Sequence, residues 1–120
     1  MTGLYHYYQQ HTLLPTYAGF TGLEELARHE QARAKLFTEK LHLPPQLFRG
    51  CHLIEFGPDS GENALVFARW GARLTLVEPN PNACGPLSDY FQRFGLMGQL
   101  HSLEKVALEQ FDTTERCEVI

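Results

Sequence analysis

The spacing of apolar residues changes along the chain, and the first regular pattern is helical. Between residues 22 and 41 apolar side chains recur every three or four positions. Pro44 and Pro45 follow, and proline cannot continue a helix. Thr21 and Glu24 have the spacing of a capping box, in which the two side chains satisfy the first free backbone N–H groups. The pattern therefore predicts a helix over residues 22–41 that begins with this box.

Beyond residue 50, short apolar runs alternate with helical patterns. Each run is too short for a helix and leads directly into turn residues, which is typical of buried parallel strands. Pro86 lies close behind Pro81, so the first turn of the second helix after residue 50 is expected to be broken. The predicted strands are 51–56, 72–77 and 99–103, the predicted helices are 62–70 and 86–94, and a fourth strand begins at residue 118. This order predicts parallel pairing through right-handed crossovers.

Composition and charge remove several classes of function. The formal charge is −4 and the ten Lys and Arg are scattered, so no nucleic-acid partner is expected. The three cysteines are far apart and no histidine pair has metal-ligand spacing, which predicts no disulfide framework, no metal site and a cytoplasmic setting. No signal segment or membrane span is indicated. Residues 1–23 contain no Lys, Arg, Asp or Glu and are rich in tyrosine, so they either pack over the surface of the domain or form a lid or wall of a binding site.

The turn after the first predicted strand carries the candidate chemistry. Gly57 and Gly61 let the backbone turn sharply, and the following helix offers free N–H groups. Glu78 ends the second predicted strand about twenty residues after Gly57, the separation of an acid that accepts hydrogen bonds from a ribose diol. The alternative is that Glu78 is an N-cap-like acid for the next helix. Ligands of doubly wound sheets lie beyond the carboxyl ends of the strands, where all three residues are expected.

The glycine spacing indicates which nucleotide-binding motifs the turn does not match. A dinucleotide fingerprint needs glycine at positions 59 and 62, where this chain has Asp59 and Glu62. No Lys-Ser or Lys-Thr pair follows the loop, which removes a P-loop. A nicotinamide-dependent dehydrogenase is therefore disfavoured.

The residues around this turn resemble class I S-adenosylmethionine-dependent methyltransferases. The first motif is matched by Glu55-Phe56-Gly57-Pro58-Asp59-Ser60-Gly61, and the second by Val77-Glu78-Pro79-Asn80. The resemblance covers about residues 50–120 and implies an α/β fold with a Rossmann-like parallel sheet of three to four strands and flanking helices. Residues 1–50 then form an N-terminal aromatic segment and helix, and residues 51–120 a partial cofactor-binding domain. Because the chain stops at the start of a strand, we expect the fold to be truncated.

The resemblance also implies roles for individual residues. Gly57 and Gly61 would approach the methionine portion of S-adenosyl-L-methionine, and Glu55 would orient its amino group. Glu78 would hold the ribose hydroxyls, and Glu104 would serve the adenine. Asp59 stands where the family has its middle glycine, and its charge would favour the ammonium and sulfonium groups but not the carboxylate. The predicted cofactor-binding residues are thus Glu55, Gly57, Asp59, Gly61, Glu78 and Glu104.

The implied activity is methyl transfer to an acceptor, for which the modest negative charge favours a small molecule. The sequence predicts no catalytic residue. A second hypothesis is a non-catalytic or degenerate methyltransferase-like fragment that acts as an association module. Its open sheet edge would then support a homo-oligomer.

Overall fold

The protein is described by a computed structural model that places residues 22–58, 61–113 and 118–119. The helices are α1 (Leu23–Lys40), α2 (Glu62–Arg69) and α3 (Pro81–Arg93), and the strands are β1 (His52–Phe56), β2 (Arg73–Val77), β3 (Leu100–Glu104) and β4 (Glu118–Val119). Short 3-10 helices span Pro45–Phe48, Met97–Gln99 and Leu108–Gln110. The predicted order of strands and helices is confirmed.

The strands form one parallel sheet in the order β3-β2-β1-β4. The chain crosses from β1 to β2 to β3 on one side and then returns to place β4 on the other side of β1. The strand order therefore reverses beside β1, and ligands of doubly wound sheets bind at such a reversal. This is the Rossmann-like α/β fold that the sequence predicts.

The core lies between the sheet and the helices. Leu53, Leu74 and Leu76 contribute the sheet side, and the inner face of α2 is buried from Ala64 to Ala68. An aromatic cluster extends this core toward α1: Phe37 contacts Phe48, Phe67 and Trp70 edge to face, with ring centroids 5.5–5.8 Å apart. These contacts attach α1 to the sheet domain, and the Glu30–Arg69 ion pair, 2.8 Å long, joins α1 to α2 at the surface.

The predicted capping box is wrong in its register. The helix α1 begins at Leu23, and its N-cap is Gly22, which has an extended backbone and no side-chain cap. Glu24 is therefore the second helical residue, whereas a capping box needs it at the third. Thr21 lies outside the described residues. The box needs Thr21 as N-cap, and the helix begins one residue too late for that.

The predicted break at Pro86 is also wrong, because α3 is continuous from Pro81 to Arg93. A proline here removes one helical hydrogen bond and crowds the preceding turn, a cost of about 3 kcal/mol. Gly85 precedes it and has no Cβ to clash with the proline ring. Burial offsets the remaining cost, because both parts of the helix contribute to one inner face: Ala83, Cys84, Leu87, Tyr90 and Phe91 are all buried.

The remaining boundaries agree with the sequence patterns to within one or two residues. Gly71 and Gly95 follow α2 and α3 with positive φ, as predicted for residues that end a helix. The aromatic segment 1–21 lies outside the described residues. In the part of the chain that is placed, no helix is both long and apolar enough to cross a membrane.

Candidate functional site

Three acidic residues lie at the carboxyl edge of the sheet. Val77 at the end of β2 is in register with Phe56 of β1 on one side and with Glu104 of β3 on the other. The backbone N–H of Glu78 donates to the carbonyl of Glu104 over 3.0 Å. Because the strands are parallel, Glu55, Glu78 and Glu104 share one end of three adjacent strands, as the sequence predicts.

Glu55 is the acid with the least favourable surroundings. Its side chain is 8% exposed, and its Oε1 atom is buried without a hydrogen-bond partner among the described residues. Burial and, to a smaller extent, the nearby charge of Glu78 together raise the pKa of this carboxyl to about 7. A buried acceptor with no donor is costly in a folded protein, and such atoms call for an explanation. Among the described residues the structure supplies no such donor for Glu55.

Glu78 is buried as well, with 3% exposure, but it has a partner. Its Oε2 accepts a hydrogen bond of 2.7 Å from the backbone N–H of Asn80. Asn80 in turn caps α3, because its side-chain oxygen accepts from the backbone N–H of Asn82 over 3.0 Å. Glu78 therefore orders the turn that leads into α3, which is the cap-like role considered from the sequence. A carboxylate can accept more than one hydrogen bond, so the cap-like role does not exclude the ribose role predicted from the sequence.

The loop between β1 and α2 uses its two glycines differently. Gly57 has φ +69°, its N–H donates to the carbonyl of Val77 over 2.8 Å, and a Cβ there would meet nothing within 4 Å. Gly61 has φ +85°, and a Cβ there would lie 2.7 Å from Cδ2 of Leu87. Gly57 thus leaves open space beside the strand ends, whereas Gly61 is needed for the loop to pack on α3. That Gly61 approaches a cofactor stays a prediction.

Two of the predicted residues are less well defined by the structure. Asp59 lies outside the described residues, so its effect on a ligand stays a prediction. Glu104 ends β3 and is partly buried. Its position at the shared edge is that expected of a residue near the adenine, and the role itself stays a prediction.

Sequence reasoning missed two further residues at this edge. Cys84 of α3 is buried, and its Sγ lies 3.9 Å from the carbonyl oxygen of Asn80. Burial raises the pKa of the Cys84 thiol, Glu78 raises it further, and the positive charge of Lys105 opposes both. The positive charge of Lys105 therefore acts on Cys84, the same thiol that Glu78 affects. The available signal was its position, directly after Glu104.

A separate polar row crosses the sheet away from this edge. His52 Nε2 lies 2.7 Å from Thr75 Oγ1, and the hydroxyl of Ser102 donates to the same oxygen over 3.4 Å. The ring of His101 packs edge to face on His52, with centroids 4.8 Å apart, and its Nδ1 accepts from Arg73 over 2.7 Å. These groups satisfy one another. Within residues 22–58, 61–113 and 118–119 no three metal-ligating side chains are grouped to hold an ion.

A cavity of about 240 Å³ lies at the opposite end of the strands. It is lined by Pro45, Gln46, Arg49, Arg69, Trp70 and Gly71. Gly71 precedes β2 and hydrogen-bonds through its carbonyl to the N–H of Gly50, which precedes β1. The cavity is therefore at the amino edge of the sheet, and no residue predicted for the site lines it.

The carboxyl edge fits the group that the resemblance implies. Oε1 of Glu55, which has no partner among the described residues, would suit an ammonium group, and the space beside Gly57 would suit a ligand that lies against the backbone. Glu78 offers a second carboxylate on the neighbouring strand.

Comparison with known proteins supports the fold. A scan against protein-family models and a search of curated proteins found no match. Solved structures do match. The fold defines the chain as a Rossmann-like α/β domain. One similar structure is the N-terminal domain of EvdMO1, crystallised with SAH (S-adenosylhomocysteine) bound: the TM-score is 0.50 and the sequence identity 16%, over 90% of this chain and 46% of that one. This chain therefore spans about half the length of that domain.

Proposed function

We propose that this chain binds S-adenosyl-L-methionine at the carboxyl edge of its sheet and forms the cofactor-binding part of a methyltransferase. The observation that carries the proposal is the buried Glu55, whose Oε1 has no hydrogen-bond partner among the described residues and which lies near Glu78. The EvdMO1 domain, which has the same kind of fold, was solved with SAH bound, and this adds support.

The chemistry of the edge suits this ligand. Glu55 would accept hydrogen bonds from the ammonium group, and a charge-assisted bond of this kind is stronger than a neutral one. Glu78 would accept from the ribose hydroxyls, and Gly57 would let the amino-acid portion lie against the backbone. When bound, the cofactor supplies an activated methyl group. The chain's own residues hold and orient the ligand and keep water away from it.

The acceptor is proposed to be a small molecule. The net charge of −4 and the scattered basic residues favour such an acceptor over nucleic acid. Methyl transfer by the whole protein, like the acceptor, rests on the cofactor proposal.

A calorimetric titration with S-adenosyl-L-methionine and S-adenosylhomocysteine tests the cofactor proposal. Both ligands are expected to bind, and Glu78→Ala is expected to weaken binding by about 10- to 100-fold, because one charged hydrogen-bonding partner is lost. Glu39→Gln is the matched control, since Glu39 is exposed on α1 and its change should leave the affinity unaltered. Unfolding midpoints of both variants show whether they remain folded. The absence of heat with either ligand at millimolar concentration would refute the proposal.

The same titration with NAD tests the dehydrogenase alternative. The chain has neither the glycine spacing nor the second glycine of a dinucleotide site, so NAD is expected not to bind. Binding of NAD in preference to the sulfonium ligand would reverse the assignment.

A second candidate function is association without catalysis. One observation is compatible with it: Glu78 Oε2 accepts a hydrogen bond from the N–H of Asn80, which gives this acid a structural role in the turn before α3. Under this hypothesis Glu78→Ala would lower the stability of the protein, and neither ligand would bind.

A further inference from the structure

Glu55 occupies a position that disfavours its charged form. Its Oε1 is buried with no donor among the described residues, and Glu78, directly after the neighbouring strand β2, is nearby. Desolvation and a like charge both penalise a carboxylate. Adding one proton removes the charge and therefore both penalties. Glu78 differs, because the N–H of Asn80 donates to its Oε2.

The charges around Glu55 come from several elements. Among the described residues, the titratable groups at this edge include Glu62 at the start of α2, Glu78 after β2, Cys84 on α3, Glu104 at the end of β3 and Lys105 directly after it. Counting Glu55, four of the groups named are carboxyls and one is a lysine, whose charge acts on Cys84. This excess of carboxyls over positive charge favours a cationic group of a ligand.

We propose that the Glu55 carboxyl is protonated in the empty site and that the ammonium group of the ligand displaces this proton on binding. The inference rests on the proposed function for the identity of the ligand. The O–H bond of Glu55 breaks, the proton passes to solvent, and the ammonium group donates to the resulting carboxylate. Ligand uptake is thereby coupled to the release of one proton.

The direction of the pH dependence follows from the empty site. Burial, and then Glu78, raise the pKa of Glu55 to about 7. Below this pH the ligand must displace a bound proton, so its apparent affinity falls with each unit of acidification. Above it the carboxylate is already ionised and the affinity levels off. Binding at pH 6 is expected to be about tenfold weaker than at pH 8.

Two measurements test the exchange, and the first needs no ligand. A carbon-detected NMR titration of the wild-type protein, with Glu55 assigned by comparison with Glu55→Gln, should show its carboxyl titrating near pH 7. The second is calorimetry with S-adenosylhomocysteine in two buffers of different ionisation enthalpy. At pH 6 about one proton should be released for each ligand bound, and at pH 8 almost none.

Variants separate this coupling from ordinary loss of affinity. Glu55→Gln should bind more weakly at pH 8 and show no proton release at pH 6. Glu39→Gln should behave like the wild type at both pH values.

The outcomes distinguish this proposal from the proposed function. Binding at pH 6 without proton release, or a Glu55 midpoint near its ordinary value of 4.5 in the empty protein, overturns the exchange and leaves cofactor binding intact. No binding at pH 8 overturns the proposed function, and the exchange with it.

Discussion

Replacing Gly61 with alanine should destabilise the protein through a contact with Leu87. Gly61 has φ +85°, a conformation that costs an alanine about 1–2 kcal/mol. The new Cβ would lie 2.7 Å from Cδ2 of Leu87, which is fully buried and has little space to move. Such overpacking costs about 1–3 kcal/mol. The total, about 2–5 kcal/mol, is a large part of the 5–15 kcal/mol that stabilises a typical domain.

Gly57 provides the matched control for this substitution. It has a similar φ of +69°, but a Cβ there meets nothing within 4 Å. Gly57→Ala should therefore show the backbone cost alone, about 1–2 kcal/mol. Urea unfolding followed by circular dichroism gives the free energy of unfolding for both variants.

A double-mutant cycle isolates the contact itself. Leu87→Val removes the Cδ2 atom, so in that background Gly61→Ala should cost only as much as Gly57→Ala. The coupling free energy is expected to be about 1–3 kcal/mol. If Gly61→Ala is no more costly than Gly57→Ala, or if Leu87→Val leaves its extra cost unchanged, the assignment of Gly61 to packing on α3 is refuted.

Three further substitutions test what determines the stability of the protein. The pKa of Glu55 rises from 4.5 to about 7 on folding, so between these pH values the folded state binds more protons than the unfolded state. The free energy of unfolding should therefore fall by about 3 kcal/mol as the pH rises through this window. Urea unfolding at pH 5 and pH 8 should show this loss in the wild type but not in Glu55→Gln. Phe37→Ala should lower the free energy of unfolding by about 2–3 kcal/mol, because Phe37 packs on Trp70. The loss is smaller than that for a fully buried phenylalanine, since Phe37 is partly exposed. Fluorescence-detected unfolding measures this loss, and a value below about 0.5 kcal/mol would contradict the packing role. Pro86→Ala should stabilise the protein by about 1 kcal/mol or more, since it restores a hydrogen bond within α3, and a lower melting temperature would contradict this.

The fold could be predicted because its elements depend on local patterns. Strands buried on both faces leave apolar runs such as residues 72–77, and Gly71 and Gly95 mark helix ends by a backbone angle that other residues avoid. The two errors, at Thr21 and at Pro86, were made with the same kind of local rule. In α3 a local cost was outweighed by burial of Leu87 and its neighbours, which no window of sequence contains.

The candidate site was predicted in part for the same reason. Glu55 and Glu78 each follow from their place at the end of a strand, and parallel pairing then brings them to one edge. The pKa of Glu55 is raised by burial and by the nearby carboxyl of Glu78. Both depend on the tertiary fold, including the register between β1 and β2. Lys105 directly follows Glu104, which was the available signal, but its effect on Cys84 of α3 depends on the tertiary fold.

The sequence by itself determined the order of strands and helices, the turn with Gly57 and Gly61, and the acids that end the strands, because hydrophobic period and backbone freedom are local properties. The tertiary structure decided what each residue does there. Among the described residues it gives Oε1 of Glu55 no donor, pairs Glu78 with the N–H of Asn80, and places Gly61 against Leu87. Burial and contact arise from segments far apart in the chain, and they determine which candidate residue has a buried oxygen without a hydrogen-bond partner among the described residues.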